Sequence, residues 1–132
     1  MKCAALTGIS PDVIKDIKAG RPRTIELQST HNIVTIASVE PGPEVHVFLT
    51  SVDFADLSPG DHGICADMLS STITMKRIVE FSHGFYYEER ERMSARIQVK
   101  FSSCSVVKEV FNEGLTKPTQ VNVLKSSCYH AG

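Results

Sequence analysis

Between Arg21 and Gln28 the chain crowds two guanidiniums, a hydroxyl, a carboxylate and an amide into eight residues, within Ala19-Gly20-Arg21-Pro22-Arg23-Thr24-Ile25-Glu26-Leu27-Gln28. Each type has a use at a binding surface. An Arg fork matches phosphate or a base edge, and Glu and Gln match the hydrogen-bonding edge of a base. Read at period two, Ile25 and Leu27 fall on one face of a strand, and Thr24, Glu26 and Gln28 on the other. Arg21, Arg23, Thr24, Glu26 and Gln28 are therefore the candidate ligand-binding residues. The competing reading is a basic turn and a solvated strand face, with Glu26 paired to a neighbouring Arg.

Other constellations carry less. Lys76, Arg77, Arg90, Arg92 and Arg96 offer a basic surface, with Tyr86 and Tyr87 as stacking partners for unpaired bases. Glu80, Glu88, Glu89 and Glu91 are interleaved with them, which favours a salt-bridged, solvated face. The Tyr86-Tyr87 pair beside these charges also suits a homodimer interface. Asp61, His62 and Cys65, or Cys128 and His130, lack the paired close ligands of a zinc site. No metal site and no cofactor is expected, and no activating context marks a Cys-His nucleophile. His46 and His83 read as packed or turn histidines, and Asp61 as the cap of its own turn.

The totals set the frame for these residues. At 132 residues, 42% hydrophobic and 22% charged, the sequence reads as a single domain over 1–132 with a sizeable core. No apolar run is long enough to span a membrane. The apolar patch after Met1 is too short for a signal peptide, so a cytoplasmic location is expected. A formal net charge of −1 argues against binding nucleic acid through global charge, and any such role needs a local basic patch. Cys3, Cys65, Cys104 and Cys128 are dispersed and read as reduced, mostly buried thiols.

The elements that must position the candidates follow from pattern. Lys2 to Thr7 suits a buried strand. Ser10-Pro11-Asp12 starts a helix whose Val13, Ile14 and Ile17 form an apolar stripe, and Gly20 with Pro22 ends it. Thr24 to Gln28 is a strand, Ser29 to Asn32 a turn, and Ile33 to Val39 a second strand. Glu44 to Thr50 continues the β pattern, with Val45, Val47 and Leu49 opposite His46 and Phe48. The Ser58-Pro59-Gly60-Asp61-His62-Gly63 turn feeds Ile64 to Met68. Ser70 to Phe81 is a strand whose phase shifts near Arg77-Ile78, as at a β-bulge. His83-Gly84 turns the chain into the strict alternation of Met93, Ala95, Ile97, Val99 and Phe101. Tyr86 to Arg92 fits an extension of that strand, a charged loop or a helix. Ser105 to Asn112 fits helix or strand, Gln120 to Lys125 is a last strand, and Ser126 to Gly132 is expected to be frayed or loosely packed.

Taken together, the order strand, helix, Gly-Arg-Pro-Arg-Thr-Ile-Glu-Leu-Gln strand and Pro-Gly-Asp-x-Gly turn resembles the ASCH branch of the PUA-like superfamily. Against the family pattern G-x-K-x-x-E-x-R, Glu26 matches the glutamate. Arg23 stands at the lysine position, Gln28 at the final arginine, and Gly20 one residue early. Length and N-terminal sequence also resemble a small archaeal family, known chiefly from methanogens, without an assigned activity. The resemblance implies an α+β, mainly β fold: a PUA/ASCH-like small β-barrel with a short N-terminal helix. It implies a cleft beside that helix, where relatives bind RNA, modified nucleosides or nucleotides. Some small ASCH proteins are amidohydrolases of an acetylated cytidine, using a lysine, a threonine and a glutamate. Here Thr24 and Glu26 are present, but Arg23 cannot give up a proton as a lysine does. The expected function is a binding module for RNA or a nucleotide-like ligand. The alternatives are an amidohydrolase of a modified nucleoside and a homodimeric interaction module without catalysis.

Overall fold

The computed structural model describes residues 1–82, 86–114 and 116–128, with side chains described outside 76–91. Six strands and two short helices alternate early and give way to long strands. They are β1 (Lys2–Leu6), α1 (Pro11–Lys18), β2 (Arg23–Leu27), α2 (Thr30–Ala37), β3 (His46–Leu49), β4 (His62–Ser82), β5 (Tyr86–Phe111) and β6 (Gln120–Ser126). They form one mixed sheet in the order β2-β5-β4-β3-β1-β6, in which β1 and β3 run parallel and the other pairs antiparallel. β5 also pairs with β6, so the sheet curls back on itself. The expected mainly β fold is present, as a curled six-stranded mixed sheet and not a clear barrel. The reason lies in β5, which is long enough to serve β2 along one stretch and β6 along another.

Three irregularities produce the curl. β4 and β5 slip register between Cys65 and Ala66 and between Met68 and Ser70, and β5 and β6 slip between Val107 and Glu109. Each extra residue bends its strand and increases its twist. The slip at Leu69 also changes which β4 residues face inward. Met68 is buried before it, whereas Ser70, Thr72 and Thr74 lie opposite the polar Gln98, Arg96 and Ser94 after it. The phase shift expected near Arg77-Ile78 thus occurs earlier, where Met68 meets the core.

The curl gives two apolar clusters. One lies between the sheet and the helices and contains Leu6, Ile17, Ile25, Leu27, Ile36, Ile64, Met68 and Ile97. The other, on the opposite face of the central strands, holds Cys3, Ala5, Phe48, Cys65, Val107, Val121 and Val123. Phe48, on the face opposite Val47 and Leu49 as expected, is thereby fully buried.

α1 follows its sequence signals. Pro11 opens it, Ile17 is buried with Val13 and Ile14 half-buried, and Gly20 at φ +93° ends it. Ser10 holds the N-cap position without a side-chain cap bond. Residues 30–37, expected as a turn and a strand, form α2 instead. Ser29 accepts a hydrogen bond from the Asn32 amide at its start. Helical spacing then buries His31, Asn32, Ile33, Thr35 and Ile36 together, and the polar members are satisfied. Asn32 accepts from the Thr7 amide (3.0 Å) and donates to the Thr7 carbonyl (2.8 Å). His31 Nε2 lies 2.6 Å from Thr119 Oγ1, and the Thr119 amide donates to Thr35 Oγ1. A β-branched run fits either element, and these partners hold it as a helix.

Residues 86–92 and 105–111 are both strand. The His83-Gly84 turn lies outside the described residues, as do Tyr129 to Gly132. The tail up to residue 128 is held, because Cys104 and Cys128 form a disulfide. The expectation of four reduced thiols is corrected for this pair, since β6 brings position 128 back beside β5, 24 residues downstream of Cys104.

Candidate functional site

β2 is the end strand of the sheet. β5 pairs with one side of it, and among the described residues no strand pairs with its other side, which is a free edge. Along that edge runs a cleft of about 320 Å³ whose wall includes every residue from Arg23 to Ser29. An unpaired edge presents backbone donors and acceptors as well as side chains. The opposite wall is the β1–α1 loop and the start of α1, and Asn32 of α2 closes the end. The cleft therefore lies beside the first helix.

Four of the five candidate residues meet there: Arg23, Thr24, Glu26 and Gln28. Arg21 is exposed in the preceding turn and does not line the cleft. The expected alternation of β2 holds, since Ile25 and Leu27 are buried while Thr24, Glu26 and Gln28 are exposed. Arg23 reaches α1, where its Nη1 pairs with Asp16 Oδ2 at 2.7 Å. Both side chains are about half exposed, so this pair orients the guanidinium more than it stabilises the fold. The remaining guanidinium N–H groups are donors for a ligand. Ser10 and Ser29, which precede the two helices, also line the cleft. Free amides at such ends favour negative charge.

Register shows what the sequence alone did not. Glu26 lies opposite Arg96 of β5, and Arg96 opposite Thr72 of β4. One step on, Ser94 lies opposite Thr74. These five residues line a second hollow of about 330 Å³, on the sheet face, and Glu26 is common to both spaces. Arg96 was visible only as one of several scattered cations, and the hydroxyls carried no signal. On the other side of α1, a hollow of about 280 Å³ faces Lys15, Lys18 and His62. It gathers no carboxylate or amide that would read a base.

The remaining candidates fall elsewhere. Asp61 caps its turn by accepting from the Ser58 amide at 2.8 Å. His46, expected as a packed or turn residue, pairs through Nδ1 with Asp67 Oδ1 at 2.7 Å across β3 and β4. Among the described residues no group of three or more His, Cys, Asp or Glu converges as a metal site, and His130 lies outside them. The side chains of Lys76, Arg77, Arg90, Tyr86 and Tyr87 also lie outside the described set. Cys3 and Cys65 are buried, and their sulfurs share a hydrogen bond. Donation from Cys3, with a further hydrogen bond from Ser105 Oγ at 3.0 Å, pulls the Cys65 thiol down to about 6 against the opposing effect of burial. The bond to Cys65 and burial hold the Cys3 thiol protonated. With Cys65 at 1% exposure, this pair is closed to substrates.

Comparison with known proteins adds a family. A model described as "Protein of unknown function (DUF473)" matches residues 1–121. The chain belongs to that family. No curated protein matches this DUF473 member. Among solved structures it is similar to the N-terminal domain of Mycobacterium avium complex Lon protease, with a TM-score of 0.53 and 15% identity. The match covers 100% of this chain and 58% of that one, so the DUF473 chain spans little more than half of that domain's length. A likeness at this identity concerns the fold alone. No helix among the described residues is long and apolar enough to cross a membrane.

Proposed function

We propose that this chain is a binding module of PUA/ASCH-like type for RNA or a nucleotide-like ligand, and that the cleft along the free edge of β2 is where it binds. The observation that carries this reading is the convergence of Arg23, Thr24, Glu26 and Gln28 on one space of about 320 Å³. That volume is at the lower end of small-ligand sites. Glu26 and Gln28 supply the acceptor and donor groups that a base edge requires, and the β2 backbone adds more. Arg23, oriented by Asp16, meets anionic oxygen, and Arg21 adds charge at the approach. A net charge of −1 fits local recognition of this kind better than binding along an extended basic surface.

A second reading has one observation in its favour. Thr24 and Glu26 share the cleft, as an amidohydrolase of a modified nucleoside requires. Binding ranks above it because Arg23 stands where a titratable lysine is wanted. The test is titration of the full chain with ribonucleosides, their monophosphates and short RNA, for the native sequence, Arg23→Ala and Glu26→Gln. Each substitution is expected to weaken binding about tenfold, and binding is expected to fall as salt rises. Affinity unchanged by both substitutions overturns the reading. Turnover of an acetylated nucleoside that is lost in Glu26→Gln establishes the second one instead.

A further inference from the structure

The hollow on the sheet face has a composition of its own. Its five lining residues are Arg96, Thr72, Thr74, Ser94 and Glu26. Arg96 brings a fork of five N–H donors and the three hydroxyls bring one O–H each, whereas Glu26 alone is purely an acceptor. Glu26 sits at the wall shared with the cleft, so the rest of the hollow is a field of donors. The strand register fixes the arrangement. Thr72 flanks Arg96 on the side away from Glu26, and Thr74 and Ser94 face each other one step along. Among the described residues Arg96 has no ion-pair partner, although Glu26 lies opposite it.

Further cations lie on the same strand. Arg92, Arg96 and Lys100 lie at alternate pairs of positions along β5, so they share a face, and all three are exposed. At about 3.4 Å per residue, successive cations are about 14 Å apart. On that face the described carboxylates include Glu26 and Asp67, and Asp67 Oδ1 faces His46 Nδ1 at 2.7 Å. A carboxylate ligand is satisfied by one Arg fork alone. A phosphoryl group has more oxygens than one fork covers, and it calls for hydroxyl donors from a second direction.

We propose that this hollow is a phosphate subsite, in which Arg96, Thr72, Thr74 and Ser94 hold a phosphoryl group of the ligand whose base lies in the cleft. The inference rests on the binding reading above and deepens it. The ligand crosses the edge of β2 at Glu26, with its base among Glu26 and Gln28 and its phosphate over Arg96. The phosphoryl group belongs either to a mononucleotide or to a phosphodiester within a strand.

The full chain is titrated calorimetrically with the common ribonucleosides, their 5′-monophosphates, ribodinucleotides with one internal phosphodiester, and inorganic phosphate. Native protein, Arg96→Ala and the Thr72→Val/Thr74→Val pair are compared, all at exposed positions. A phosphate is expected to tighten binding about tenfold over the matching nucleoside. Arg96→Ala is expected to remove most of that gain, Arg23 keeping the remainder, and to leave nucleoside affinity unchanged, with the valine pair giving a smaller loss. A gain seen with monophosphates assigns a mononucleotide, and one seen only with dinucleotides assigns a strand. Equal affinity for nucleoside and phosphorylated forms overturns the subsite while the cleft reading stands. So does an Arg96→Ala loss that is the same for both. Binding of inorganic phosphate that depends on Arg96, without any nucleoside binding, supports the subsite and overturns the cleft reading. No binding of any probe overturns both.

Discussion

Asn32 ties the end wall of the cleft to the core, and its replacement tests the account of why residues 30–37 are helical. The side chain is 4% exposed and answers both backbone groups of Thr7, which is itself buried. Asn32→Ala leaves one buried N–H and one buried C=O without these partners. At about 1–3 kcal/mol for each unsatisfied group, and with some relaxation, the expected cost is about 2–4 kcal/mol. Unfolding entropy of about 2.1 cal/mol/K per residue gives this chain about 0.28 kcal/mol/K, so a loss of about 3 kcal/mol lowers Tm by about 10 °C. Urea and thermal unfolding followed by circular dichroism measure this directly. Asn32→Asp sharpens the test. A protonated acid can donate to the Thr7 carbonyl as the amide does, whereas a carboxylate is repelled by it. The buried acid therefore has its folded pKa raised, so its stability is retained at low pH and lost as pH rises past about 4. A loss below about 1 kcal/mol for Asn32→Ala, or a pH-independent Asn32→Asp, refutes the reasoning.

Three further outcomes are expected. Gly63→Ala places a Cβ 2.5 Å from the Leu49 carbonyl and from the Phe48 ring, so it should cost about 2 kcal/mol or more by denaturant titration. Thiol titration in denaturant without reductant should find two thiols, Cys3 and Cys65, and four after reduction, while Cys104→Ser should lower stability by about 3 kcal/mol through the lost 24-residue closure. Because Cys65 is lowered from 9.0 to about 6, its contribution to stability is full above pH 9 and fades as pH falls towards 6. Ultraviolet thiolate absorbance should rise near pH 6, and Ser105→Ala should move that midpoint upward.

Much of the early chain was legible because its signals are local. Pro11 and Gly20 bracket α1 by fixing backbone angles, and the alternation of Thr24 to Gln28 shows which face of β2 is wet. The stretch IVTIASV was misread because its β-branched residues satisfy two periodicities. Partners at Thr7 and Thr119, remote in sequence, decide between them. The positions of the bulges were equally hidden, since a single extra residue such as Leu69 leaves no compositional trace. The candidate site divides in the same way. Arg23, Thr24, Glu26 and Gln28 stand out from spacing alone. Arg96 and the hydroxyls of β4 join Glu26 only through register, and Cys128 meets Cys104 only because β6 returns to β5.

The place of β1 in the sheet bears on how the chain is made. β1 leaves the ribosome before both of its neighbours, β3 and β6, and the partners of Lys2 to Ala4 on β6 are Gln120 to Asn122. Until β6 is synthesised, β1 carries an open edge, and the cluster around Cys3 and Phe48 lacks Val121 and Val123. Helical and hairpin contacts can form during elongation, but the sheet cannot complete its curl. Nascent chains that stop short of Gln120 should remain open to proteases, and those that extend past Ser126 should become resistant in one step.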